Sequence, residues 1–310
     1  MGYTVSGNVV PRSSSNAEFR AWGSFISQAL ANCGLVQVTC VGQVDWSTAT
    51  APNGLGQYSN FEVWRFNDAL QNTCPVYVKI AYGSSAYNMA APNLFWGLGS
   101  SVDANGTLGG FRNWNPYASQ ATYGGLTETA TTVAFANNTL ISYICGATNR
   151  FSVAMWVRGT GSVRTSAIYL SMERTPDANG NPTNDSVLVT YGSNYAPYWG
   201  QCVWNPYTGQ MGHEANTSAS YWGIMHPQTG GGTRGANTSV YPVFHDKGGG
   251  PFLNPGLNHL AYWHSEFTAG TPNTFSYYGS NHTYMPLGNS GIYTITARSN
   301  NSLALMMRWE

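Results

Sequence analysis

Charge is what this chain has least of. Its 310 residues carry 13 basic and 13 acidic side chains, so only 8% are charged, against about a quarter in an average soluble domain. A formal net charge of zero supplies no phosphate-neutralising patch, which argues against nucleic acid as a partner. Long apolar runs are missing too. No stretch approaches the roughly 18 uninterrupted apolar residues of a membrane-spanning helix, and no membrane partner is expected. Cysteine is sparse: Cys33, Cys40, Cys74, Cys145 and Cys202 lack metal-ligand spacing, and an odd number describes no disulfide framework, which leaves reduced core residues. The opening MGYTVSGNVV has neither a basic n-region nor an apolar h-region, so secretion is not expected. It matches the M-G-x-x-x-S/T acylation pattern through Gly2 and Ser6, beside the plainer reading of a strand-like start.

Signatures of chemistry are also lacking. No HExxH, nucleophile elbow or Walker loop occurs, and GGGTRG and KGGGPF lack the Gly-Lys-Ser/Thr ending that cradles phosphate. All six histidines fall between His213 and His282, some beside acids: His213 with Glu214, His245 with Asp246, His264 near Glu266. The region has no helical signal to bring ligands onto one face, and His259 and His264, five apart on a strand, would point to opposite sides. Asp103 with Asn105, and Asp177 with Asn179, offer too few oxygens for calcium and read as turn caps. The pair of carboxylates that glycoside hydrolysis needs stays open, since 13 acids are a small pool but not an empty one. No catalytic residue, metal ligand or cofactor is assigned.

What replaces charge is Asn, Ser, Thr, Gly and aromatic residues. Phe, Trp and Tyr make up 14% of the chain and gather in YAPYWGQCVWNPY, SYWGIMH and HLAYWHSEF. Rings beside amides suit a sugar-binding surface, because they stack on pyranose C–H faces while amides read hydroxyls. The same residues build subunit interfaces, or simply fill a core. Trp222, Tyr262 and Trp263 are the candidate contact residues. A net charge near zero also favours self-association, which points to an oligomer, with a trimer among the options.

Local signals are strongest in the first quarter. Ser15 and Glu18 form a capping box, Phe19, Trp22, Phe25, Ile26, Ala29, Leu30 and Cys33 recur at helical steps, and Gly34 supplies the stop. Ser59 and Glu62 repeat the box, with Phe61, Trp64, Phe66 and Leu70 as the face and Pro75 as the breaker, which predicts a second helix. Val76, Val78 and Ile80, alternating with Tyr77 and Lys79, predict a strand. From about Thr127 the texture turns to short strands, including TTVAFA, RFSVAMWVR, SAIYLSMER, SVLVTYG, GIYTITAR and SLALMMRWE. TPDANGNPTND between two of them predicts a hairpin. DANG and WNPY each occur twice, at different separations, as turn motifs reused by composition rather than as a duplication. The expected fold is mainly β (α+β): two amphipathic helices in an α+β region, 1–126, followed by an antiparallel, β-sandwich-like all-β region, 127–310.

FEVWRFNDALQNTCPVYVKIAYGS, NLFWGLGSSVDANGTLGG, RFSVAMWVR and AIYLSMERTPDANGNPTNDSVLV together resemble a group of tailed-bacteriophage virion structural, tail-associated proteins, over roughly Glu18 to Val189. The resemblance implies a non-enzymatic virion component assembled in the host cytoplasm, and it carries no catalytic residues. The absence of heptads or short repeats argues for a compact piece rather than a long fibre. A tail, baseplate or tail-tip subunit contacting itself and other virion proteins is therefore expected. A capsid decoration protein and a module binding host surface glycan are the alternatives.

Overall fold

The computed structural model describes residues 2–7, 16–52, 58–84, 92–110, 139–158, 166–177, 181–193, 198–204 and 211–212, and, further on, 224–225, 233–235, 238–242, 244–245, 259–263, 267–268, 270–277, 280–287, 295–296 and 302–310. In chain order the first part comprises strand β1 (Gly2–Gly7), helix α1 (Asn16–Asn32), and strands β2 (Val36–Val38), β3 (Tyr58–Arg65), β4 (Tyr77–Ser84), β5 (Pro92–Gly99), β6 (Ser101–Val102) and β7 (Leu108–Gly109). Strands β8 (Thr139–Ala147), β9 (Arg150–Arg158), β10 (Ser166–Pro176), β11 (Pro182–Ser193), β12 (Tyr198–Trp204) and β13 (Met211–Gly212) follow. The last part holds β14 (Ile224–Met225), β15 (Thr233–Gly235), β16 (Thr238–Pro242), β17 (Phe244–His245), β18 (His259–Trp263), β19 (Asn273–Tyr277), β20 (Ser280–Pro286), β21 (Ile295–Thr296) and β22 (Ser302–Arg308). The chain is mainly β, with antiparallel pairing and one α-helix among the described residues.

One sheet of seven strands has the order β1-β8-β9-β10-β11-β12-β13, and β2-β3-β4-β5 form a second. A C-terminal sheet runs β15-β16-β18-β22-β20-β19, with β21 also on β22. The first sheet is a meander of neighbouring strands from β8 onward, the arrangement that short hairpin connections favour. Its hairpin between β10 and β11 matches the sequence signal: Arg174 pairs with Val187, and Asp177 Oδ1 accepts from the Asn181 amide at 2.9 Å. The Asn179–Gly180 step itself lies outside the described residues, as do TTVAFA and both WNPY strings except Trp204.

Helix α1 forms as its spacing predicts. Phe19, Trp22, Ile26, Ala29 and Leu30 are buried on one stripe, while Phe25 is only partly buried against it. The C-terminus closes as a Schellman motif: Gly34 donates to Ala31 O (2.9 Å) and Leu35 to Leu30 O (3.3 Å). Gly34 sits at φ 103°, the left-handed region where a Cβ is unfavourable. Strand β4 also follows its pattern, with Val76, Val78 and Ile80 fully buried.

The second helix is not there. Tyr58–Arg65 is strand β3, paired with β2 on one side and β4 on the other, and only a 3-10 turn at Ala69–Asn72 follows. The capping-box spacing between Ser59 and Glu62 is a weak local preference. It is outweighed by Tyr58, Phe61, Val63 and Trp64, aromatic and β-branched residues that fit a pleated surface, with Val63 and Trp64 buried on its two faces. Glu62, instead of reaching back to a helix terminus, points into the interior at 0% exposure.

One continuous apolar core is shared by α1, the four-stranded sheet and strands β8 to β11, through side chains such as Phe19, Trp64, Ile80, Val153 and Met172. It therefore draws on both sides of the expected boundary at 126/127, and β1 pairs with β8 across the same line. A smaller cluster of Leu260, Tyr284 and Met306, with Phe267 and Phe275 against it, belongs to the C-terminal sheet.

Gly23 marks how tightly the helix is docked, since a Cβ there would overlap the Trp46 ring. Gly23→Ala should thus destabilise the protein despite a helix-propensity gain of about 1 kcal/mol. The check is thermal unfolding: a lowered Tm is expected, and an unchanged or raised Tm contradicts the packing.

Candidate functional site

The most concentrated polar chemistry among the described residues surrounds Glu62. Its Oε1 accepts from Ser27 Oγ (2.7 Å), Gln37 Nε2 (3.1 Å) and Trp46 Nε1 (3.1 Å). Its Oε2 accepts from Tyr82 OH (2.6 Å) and Trp64 Nε1 (3.4 Å). The five donors come from α1, β2, β3, β4 and the loop before β3, so the carboxylate ties together every layer on that side of the core. Two of the donors ride on an aromatic box, with Trp22 and Trp46 both edge-on to Tyr82 at 5.6 and 4.8 Å between ring centroids. Phe19 packs tilted on both indoles. Burial, and secondarily the Glu62 carboxylate beside it, pushes the Tyr82 phenol well above its ordinary value. Tyr82 accordingly stays a donor.

Trp46 is held in place by its loop. Val44 donates to Phe61 O (3.0 Å), and Gln43 Oε1 accepts from the Val63 amide (2.8 Å). Asp45 caps the following turn by accepting from Ser47 N (2.9 Å) and Ser47 Oγ (2.7 Å), bonds that hold its carboxyl below the usual range. Arg20 of α1 donates to Ala49 O (2.6 Å) and Thr48 O (3.2 Å).

A second buried charge sits on the other flank of the core. Arg174 of β10 grips Asp68 through two bonds, Nε to Oδ2 at 2.6 Å and Nη2 to Oδ1 at 3.1 Å, and its guanidinium lies 5.5 Å from the Phe66 ring centroid. Gln71 closes the group, accepting from Arg174 Nη2 (3.4 Å) and from the Val76 amide (3.0 Å). The 3-10 turn is thereby fastened to a strand about a hundred residues away. Lys79, on the opposite side of the small sheet, lies 4.0 Å from the Phe61 ring centroid. It donates to Gly106 O (3.0 Å), and burial pushes its ammonium down from the ordinary value.

This arrangement is suited to holding a shape. A carboxylate has about four lone-pair directions, and five donors already occupy those of Glu62, so it has no spare capacity to take a proton from a bound molecule without releasing a structural bond. Asp103 is used similarly: its Oδ1 accepts from the Asn105 and Thr107 amides, both at 2.8 Å, the turn-capping role anticipated for it. Cys33, Cys40, Cys74 and Cys145 are buried free thiols, with burial raising Cys33 to about 12. No group of three His, Cys, Asp or Glu side chains among the described residues is placed to hold a metal ion.

The aromatic candidates are placed only in part. Tyr262 and Trp263 are consecutive in β18, Tyr262 in register with Val240 and Ala304 and Trp263 with Leu303. They thus lie inside the C-terminal sheet rather than at its edge. Trp222 lies outside the described residues, as do His213, His226 and His264. His282 of β20 has its Nδ1 2.8 Å from Glu310 Oε1. Sequence reasoning missed Glu62 and Arg174 as buried centres. The signal for Glu62 was its place two residues before Trp64 in an otherwise aromatic and β-branched run. Comparison of the chain with protein-family models, curated proteins and solved structures finds no match.

Two substitutions test the cage. Tyr82→Phe should cost about 1.5–3 kcal/mol, the usual worth of a hydrogen bond to a charged group. Glu62→Gln should cost at least as much, because its NH2 would face donors and leave them unpaired in the core. Urea unfolding measures both, and a loss under about 0.5 kcal/mol for Glu62→Gln would contradict the geometry. On the other flank, Arg174→Lys keeps the charge but cannot reproduce the two-pronged grip. A drop in stability of about 1–3 kcal/mol is expected there, and wild-type stability would count against the Asp68 pairing.

Proposed function

We propose that the chain is a non-enzymatic structural component of a tailed-bacteriophage virion, most closely a tail, baseplate or tail-tip subunit making contacts with copies of itself and with other virion proteins. The observation that carries this reading is the direction in which the few charges face. Glu62, Glu173 and Arg174 expose 5% or less, and Asp45, Asp103 and Asp177 are engaged in capping turns. A chain that starts with 8% charged residues and turns Glu62, Glu173 and Arg174 inward has few ions left to place on its exterior. Such a surface meets another surface at low desolvation cost, because few ions must be stripped of water. The saturation of Glu62 by structural donors supports the non-enzymatic part of the reading, and the resemblance of Glu18 to Val189 to tail-associated proteins supplies the particle. The sandwich-like packing of 127–310 belongs to the same proposal, with the two seven-stranded sheets as its layers.

Immunogold labelling of intact phage particles with antibodies raised against the chain tests this reading. Label on the tail or baseplate is the expected result. Label on the head would replace it by the capsid decoration reading. Particles without label, from a lysate that contains the protein, would overturn it. A glycan array with wild type and Trp263→Ala separates the remaining alternative: binding lost in the variant would assign a glycan-binding module, and no binding by either protein is expected of a purely structural subunit.

A further inference from the structure

The string DANG occurs twice in the chain, and both copies close a hairpin with the same pair of bonds. At the first, Asp103 N donates to Thr107 O (3.0 Å) and Thr107 N to Asp103 Oδ1 (2.8 Å), with Val102 and Leu108 paired on either side. At the second, Asp177 N donates to Asn181 O (2.8 Å) and Asn181 N to Asp177 Oδ1 (2.9 Å), with Pro176 and Pro182 paired. The motif is a loop closed at fixed offsets by its own aspartate. It also carries an Asn-Gly step, which a hairpin corner favours and which is the step most prone to lose ammonia. The glycine nitrogen attacks the side-chain carbonyl carbon of the preceding asparagine. An N–Cγ bond forms, the Cγ–NH2 bond breaks, and ammonia leaves with the proton given up by the glycine nitrogen. Water then opens the cyclic imide to aspartate or isoaspartate.

Asn105–Gly106 is the copy of this step within the described residues, and its two halves differ. Asn105 is exposed, whereas Gly106 is buried. Gly106 sits at φ 73°, and a Cβ there would lie 2.7 Å from Phe61 Cε2 and 3.5 Å from Cys40 Cβ. Attack requires the Gly106 nitrogen to release its proton and swing onto Cγ of Asn105, and each part of that motion is restrained. Gly106 N donates to Asp103 O (3.1 Å), and Asn105 N donates to Asp103 Oδ1 (2.8 Å). Gly106 O accepts from Lys79 Nζ (3.0 Å), and Ala104 O accepts from Val41 N (2.7 Å) in the loop after β2. We propose that Asn105–Gly106 is a latent site of self-modification to isoaspartate, held shut by Asp103 within the turn and by Lys79 from β4. Isoaspartate lengthens the main chain by a methylene, so the modification would lift Gly106 off Phe61 and undo the Lys79 bond. The site thereby reports whether the β6–β7 hairpin is seated on the small sheet. The inference goes beyond the virion reading and does not depend on it, because it concerns the chemistry of the isolated chain.

Peptide mapping for isoaspartate at residue 105, during incubation in mildly alkaline buffer, tests the lock. The native protein should modify Asn105 about tenfold or more slowly than the same protein unfolded in urea, because several hydrogen bonds must open before attack. Asp103→Ala removes the acceptor of the Asn105 and Thr107 amides and should speed modification in the folded protein by about tenfold or more. Lys79→Met keeps an apolar stem beside Phe61 but offers no donor to Gly106 O, and should speed it by about threefold or more. Native protein that modifies Asn105 as fast as the unfolded chain would overturn the proposal, and so would folded variants that modify it no faster than wild type. Should Asp103→Ala fail to fold, the Lys79→Met rate and the native-to-unfolded ratio decide the matter by the same criteria.

Discussion

The fold is organised around one desolvated carboxylate. Bringing Glu62 into the core with 0% exposure carries a large desolvation penalty, and it is tolerable only because five neutral donors converge on the two oxygens. That requirement reaches outward. It fixes the rotation of α1 through Ser27 and the register of β2 through Gln37. It sets the position of Trp46 against Gly23, and it explains why β4 carries a tyrosine at residue 82, where an apolar ring would otherwise serve. A network of this kind is strong when complete and costly when any member is missing. It therefore favours one arrangement of helix and sheet over the many that a purely apolar core of the same volume would allow.

Arg174 imposes a matching constraint from the far side of that core. Its fork on Asp68 joins the turn after β3 to β10, so the small sheet is tied to the first sheet both by apolar packing and by an ion pair of fixed geometry. With β1 paired to β8, contacts of long sequence separation dominate this part of the molecule. Charge in this chain is thus a device for positioning segments. Burying Glu62, Glu173 and Arg174 in a chain with 8% charged residues leaves few ions for the exterior, and this links the internal architecture to the proposed role as a covered subunit.

What could be read in the sequence was what is locally determined. Helix α1 carries its own stripe and stop, and its Schellman closure at Gly34 needs nothing from the rest of the chain, while Ser15 of the expected capping box lies outside the described residues. The β10–β11 hairpin is likewise set by Asp177 and Asn181, four residues apart, and RFSVAMWVR reads as the strand β9 it forms. Strand β3 misled because Ser59 and Glu62 have a spacing that suits a helix cap as well as a strand. The partners that decide between them, Ser27, Gln37, Trp46 and Tyr82, lie 16 to 35 residues away. No period in the local sequence encodes a donor arriving from a helix three dozen residues upstream. The pairing of Arg174 with Asp68, 106 residues apart, was hidden for the same reason. Of the aromatic candidates, the position of Tyr262 and Trp263 on a strand was legible, but their place in the middle of the C-terminal sheet depends on β16 and β22, which flank β18 from far along the chain.

The central claim is that an exterior poor in charge is there to be covered by other chains through uncharged contacts. Sedimentation equilibrium of the purified chain at low salt and at about 1 M NaCl, where the Debye length falls to about 3 Å, tests it most directly. The account predicts a self-associated species whose association constant is nearly the same in both conditions. A strict monomer throughout, or an assembly that dissociates as salt screens its charges, would contradict it.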